Sequence, residues 1–113
     1  MAKKTAQVRH QQLFCFPNQE PLCSLDSPAW FLWLDTARSF RYFSDQRQNV
    51  FGGFGPLYAP VSLRKERRRH SWHWYAYRRT YRVLHKRYVG ASDSLSMARL
   101  DDVAILLTGL WRF

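Results

Sequence analysis

The run from Val61 to Gly90, VSLRKERRRHSWHWYAYRRTYRVLHKRYVG, constrains this chain more than any other stretch. Aromatic and β-branched residues are interleaved with basic ones on both sides of a short break at Thr80-Tyr81-Arg82. That composition and its period of two belong to strands rather than helices. Ser71–Arg79 and Val83–Gly90 are therefore expected to pair as a hairpin, with a further strand over Leu57–Arg69. Successive strand side chains point to opposite faces. On this alternation Trp74 and Ala76 go to a core, and His73, Tyr75, Tyr77 and Arg79 to an open face. Lys86 and Tyr88 join the open face, while Val83 and Val89 turn inward. Arg87 falls on the inward side and is expected to snorkel out along the sheet edge.

Charge is concentrated in the same place. The run holds ten of the 18 Lys and Arg residues and one acid, Glu66, so it supplies +9 of a formal net charge of +10. A basic, aromatic surface of this kind suits a polyanionic partner, nucleic acid or an anionic membrane. The longest apolar run, Val103–Leu107, is far too short to span a bilayer. The opening MAKKTAQVRHQQ has no apolar stretch after its lysines and is not read as a signal peptide. The expectation is a cytoplasmic, nucleoid-associated protein with Cys15 and Cys23 as free thiols and no membrane partner. Arg64, Lys65, Arg67, Arg68, Arg69 and Arg82 would extend the open face into a platform for a DNA groove. Arg outnumbers Lys, as suits bidentate pairing with guanine, and Lys and Tyr can bond phosphate. Arg79 is assigned to base reading and Arg68 to phosphate anchoring.

The remaining chain supplies the support. Residues 1–9 read as frayed, and Gln12–Phe16 and Pro21–Ser24 as two short strands of an N-terminal hairpin or extension over 1–25. Asp26-Ser27-Pro28 is a helix start, with a capping side chain before a proline at the first helical position. The helix, over 26–38, sets Trp30, Phe31, Leu34 and Ala37 on one stripe. Ser39–Ser44 alternates Phe40, Tyr42 and Ser44 against Arg41 and Phe43, a strand pattern. The Gly-rich Asp45–Gly55 reads as a hairpin loop, with Phe51 and Phe54 folding back on the sheet or remaining mobile. Its GGFGP lacks the lysine and helix of a phosphate-binding P-loop. Ser96 can cap a second helix over Met97–Leu107, with Leu95 and Leu100 as a hydrophobic staple and Gly109 as a stop. The whole, 1–113, is expected to be one α+β domain. Its antiparallel sheet of three or more strands (39–90) would be backed by a C-terminal helix (94–109), with the N-terminal hairpin and short helix added.

Other chemistries fit poorly. His70, His73 and His85 with the two cysteines show no metal-ligand spacing. The acids are single apart from Asp101-Asp102, read as the polar face of the last helix, so no catalytic constellation emerges. No enzyme activity, metal or cofactor is expected.

The pattern RKERRR…WYAYRR…KRYVG, followed by LSMARL and preceded by SPAWFLWLDTARSFRY, resembles a module at the N-terminus of large bacterial LuxR/MalT-type transcriptional regulators, also found free-standing. Trp74–Gly90 is also similar to the arm-site DNA-binding domain of lambda integrase and to the plant ethylene-response DNA-binding domain. Those resemblances imply a three-stranded sheet backed by one helix that reads duplex DNA with sheet side chains. Tyr75, Tyr77, Arg79, Lys86 and Tyr88 would then face the DNA. They imply a role in transcription regulation or in a mobile-element or recombination complex, with any signalling supplied by other subunits. The sequence departs from the module at Thr80-Tyr81-Arg82, where the regulators have Gly. An RNA-binding or ribonucleoprotein accessory role is the alternative, because exposed Tyr and Trp can stack on unpaired bases.

Overall fold

A computed structural model describes residues 6–15, 20–50, 53–80 and 82–109. Its elements in chain order are β1 (Gln7–Arg9), β2 (Gln12–Phe14), β3 (Cys23–Ser24), α1 (Pro28–Thr36), β4 (Ser39–Tyr42), β5 (Arg47–Val50), β6 (Gly53–Leu57), β7 (Val61–Arg68), β8 (Ser71–Thr80), β9 (Val83–Gly90) and α2 (Met97–Gly109). Among the described residues one sheet has seven strands in the order β3-β2-β1-β4-β7-β8-β9. All of its neighbours pair antiparallel except β1 and β4, which run parallel. This is the α+β class with a C-terminal helix that the alternation and capping signals anticipate. The β7–β8–β9 meander sits inside a wider sheet.

The core lies on one face of that sheet. Val8, Leu13, Phe40, Tyr42, Val61, Leu63, Trp74, Ala76 and Val89 are the buried strand residues, and each falls on the same side of its strand. Trp30 and Leu34 of α1 and Leu100, Val103, Ala104 and Leu107 of α2 close over them. Phe40 is the pivot, with its ring centroid 5.4 Å from Trp30 and 5.2 Å from Trp74. Full burial of each such side chain stabilises by roughly 1.5–3 kcal/mol, which makes this layer the main source of stability. Both buried indoles find partners, the Trp30 N–H donating to the Leu95 carbonyl at 2.8 Å and that of Trp74 to Ser92 Oγ at 2.9 Å, whereas Arg78 Nη1 and Thr108 Oγ1 are buried without one.

Several local expectations change. β1 occupies residues read as frayed. It pairs with β2 across His10-Gln11, both with positive φ (53° and 63°), the geometry a two-residue hairpin loop requires. The strand expected over Gln12–Phe16 ends at Phe14, and part of the following turn lies outside the described residues. The strand expected from Leu57 begins at Val61, because Leu57 belongs to β6. The Gly-rich segment forms its own two-stranded β5–β6 hairpin; Phe51 and the Phe54 side chain lie outside what is described. Ser27, directly before Pro28, caps α1 as the helix-start signal requires, its Oγ accepting from the Trp30 N–H at 3.3 Å. Asp26 reaches to the far end of the chain, where it accepts from the Met97 N–H at the start of α2 at 2.8 Å. Asp101, read as polar surface, accepts from the hydroxyls of Tyr42 (2.5 Å) and Ser44 (2.7 Å), tying α2 to β4. Val83 has inward parity but is 56% exposed; of the inward β9 positions only Val89 is buried, so the core covers that strand at its C-terminal end alone.

Candidate nucleic-acid interface

The described side chains on the sheet face opposite the helices are exposed or half-buried, none fully buried. Register fixes which side chains share it. Arg41, Ser62, Tyr77 and Lys86 form one row across four strands, and Ser39, Arg64, Tyr75 and Tyr88 form the next. Glu66 lies opposite His73, and Arg68 opposite Ser71. Arg79 follows Tyr77 on β8 and pairs with Leu84. The expected open-face set of His73, Tyr75, Tyr77, Arg79, Lys86 and Tyr88 is therefore gathered on one surface, with Arg64 and Arg68 beside it.

Glu66 organises one end of this surface. Its Oε1 accepts from Arg68 Nη2 at 2.6 Å and from Lys86 Nζ at 3.0 Å, and its Oε2 accepts from the Tyr77 hydroxyl. Lys86 Nζ stands 4.4 Å from the Tyr75 ring centroid, and the Arg68 guanidinium 5.4 Å from the same ring on a second approach. Tyr75 meets Tyr88 edge-on at 5.5 Å, and Tyr88 Oη lies 3.0 Å from His73 Nδ1. Hydrogen bonding to Tyr75 and the Glu66 charge hold the Arg68 guanidinium more firmly protonated than usual. One carboxylate thus gathers two cations and a phenol against a cluster of rings, which fixes flexible side chains before any partner arrives.

Four of the expected contact residues lie elsewhere. Lys65 has the parity of Leu63, so its side chain turns to the helix side. Its Nζ donates to the carbonyls of Leu34 (2.6 Å) and Asp35 (3.1 Å) at the end of α1 and sits 5.3 Å from the Trp74 ring. Burial there pushes its pKa below that of a free lysine, with nearby Asp35 opposing. Lys65 is a structural cation that caps a helix C-terminus. Arg67 shares its parity, opposite Trp72, and is exposed on the wrong side for the platform. Arg69 and Arg82 are exposed in the two turns at opposite ends of β8, and Arg69 takes a positive φ of 58°. Arg78, another inward position, has its Nη1 buried without a hydrogen-bond partner, and burial lowers its pKa.

The structure also adds residues. Arg41 and Ser39 of β4 and Ser62 of β7 lie on the open face beside the basic hairpin. The alternation in Ser39–Ser44 already put Arg41 on the side away from Phe40. Only the pairing of β4 with β7 shows which surface that side joins.

Both cysteines are free and half-buried, their thiol pKa values pushed up by burial. Among the described residues no three His, Cys, Asp or Glu side chains gather as a metal site. No described helix is long and apolar enough to cross a membrane. In comparisons with known proteins, no family model, no curated protein and no solved structure matches the chain.

Proposed function

We propose that this chain binds duplex DNA through the open face of its sheet. One observation carries the reading: the helices cover one face, while the other presents Arg41, Arg64, Arg68, Arg79 and Lys86 among Tyr75, Tyr77 and Tyr88. Dimensions favour a duplex. Three adjacent strands span about 10 Å, two interstrand spacings, so β7–β8–β9 matches a major groove about 12 Å wide. Tyr75, Tyr77, Lys86 and Tyr88 would face base edges there, while β4 would fall against the backbone. The resemblance to sheet-reading DNA-binding domains points the same way, and a role in transcription regulation or a mobile-element complex belongs to this proposal.

The test is competition of a labelled duplex against single-stranded DNA and RNA of equal length. The duplex should be preferred, with affinity falling steeply as salt rises because phosphate neutralisation releases counterions. A clear preference for unpaired strands would move the function to the ribonucleoprotein alternative.

A further inference from the structure

The cations of the open face fall into two groups. Arg68 and Lys86 share the Glu66 carboxylate at 2.6 and 3.0 Å. Arg41, Arg64 and Arg79 have no carboxylate within 4.0 Å among the described residues; the contacts seen for the first two are rings, Arg41 over Phe43 and Arg64 over Tyr77, each at 5.9 Å. These three arginines line one depression of about 450 Å³ between β4 and β8, together with the hydroxyl-bearing Ser39, Ser62 and Tyr77. A second depression of about 470 Å³ adjoins it and shares Arg41, Ser62, Tyr77 and Arg79. No acid lines either one.

Three uncompensated guanidiniums in a concavity repel one another and focus a positive potential along it. The Ser39 and Ser62 hydroxyls beside them can donate, while the Tyr77 hydroxyl is already given to Glu66, and with no acid among the lining residues the depression forms a seat for anionic oxygens. From β4 to β8 is about 10 Å, two interstrand spacings, so guanidiniums from the two walls can reach adjacent phosphates of one strand.

Resting on the duplex-DNA reading, we propose that this groove seats the phosphodiester backbone of one DNA strand, with Arg41, Arg64 and Arg79 as its phosphate ligands. Arg68 and Lys86 are then secondary contacts, because Glu66 already neutralises part of their charge. This reverses the simple assignment of Arg68 to phosphate and Arg79 to bases.

The experiment measures duplex affinity against salt by fluorescence anisotropy for the full chain and for Arg41→Ala, Arg64→Ala and Arg68→Ala, with thermal melting to confirm folding. Each phosphate ligand lost should flatten the slope of log K against log salt by about 0.9. Arg41→Ala and Arg64→Ala should each show that loss, and Arg68→Ala less than half of it. If the unaltered chain binds duplex but Arg41→Ala leaves the slope unchanged, the groove assignment fails and the DNA reading stands. Inorganic tripolyphosphate gives the converse arm. Tripolyphosphate binding that depends on Arg41, without duplex binding, keeps the groove as a phosphate site and removes the DNA reading. Neither duplex binding nor Arg41-dependent tripolyphosphate binding overturns both.

Discussion

Arg64 and Lys65 are neighbours in sequence and sit on opposite faces of β7, so exchanging them one at a time separates binding from stability. Lys65→Met keeps the aliphatic stem against Trp74 but removes the charged donor that meets the Leu34 and Asp35 carbonyls at 2.6 and 3.1 Å. A hydrogen bond from a charged group contributes about 1.5–3 kcal/mol, and a cation at a helix C-terminus about 0.3–1. Part of this is offset by the desolvation that lowers the Lys65 pKa. A net loss of roughly 1–2 kcal/mol lowers Tm by roughly 4–10 °C in a domain of this size. Duplex affinity should stay within about twofold, since a cation on the far face contributes only through the screened long-range field. Arg64→Ala should do the opposite. An exposed substitution changes stability by no more than about 0.5 kcal/mol, whereas losing one phosphate contact weakens duplex binding roughly eightfold at about 0.1 M salt. Melting by circular dichroism and anisotropy titration on the same samples decide it. If Lys65→Met weakens binding as much as Arg64→Ala and leaves Tm alone, the division of the sheet into core face and contact face is wrong.

Two further outcomes follow from single contacts. Burial and the Asp101 hydrogen bond raise the Tyr42 pKa far above its ordinary value of about 10. A group with a raised folded pKa stabilises fully below its unfolded pKa and loses that contribution as pH climbs above it. Stability should therefore fall from about pH 10 upward, and Tyr42→Phe should flatten the fall in urea melts taken across that range. Gly90 sits at the β8–β9 bulge with φ of 142°, where an added Cβ would lie 3.1 Å from Ser94 Cβ. Gly90→Ala should cost about 1–3 kcal/mol in a thermal or urea melt, and a loss below about 0.5 kcal/mol would mean that the backbone relaxes there.

Much of this layout was legible because period two leaves little freedom once one face is buried. Phe40, Tyr42 and Ser44 are buried as their alternation requires, and so are Trp74, Ala76 and Val89. The same rule applied to LRKERR would have divided Leu63, Lys65 and Arg67 from Arg64, Glu66 and Arg68. Treating that run as a single basic block concealed the division. Other features had no local signal. The β1–β2 hairpin turns on His10 and Gln11, which lack the Asn-Gly chemistry that announces such loops. The contact from Asp26 to Met97 spans 71 residues, and no capping rule anticipates a cap supplied from that distance. Arg41 had a face in the sequence but no neighbours until β4 was placed against β7.

The central claim is that nucleic acid meets the sheet face opposite the helices, and side-chain resonances report that contact directly. On titration with duplex DNA, the ring signals of Tyr75, Tyr77 and Tyr88 and the guanidinium signals of Arg41, Arg64 and Arg79 should shift. The indoles of Trp30 and Trp74, both buried, should stay in place. Shifts confined instead to the exposed Leu32 of α1 and Ile105 and Leu106 of α2 would put the partner on the helical face and contradict the account.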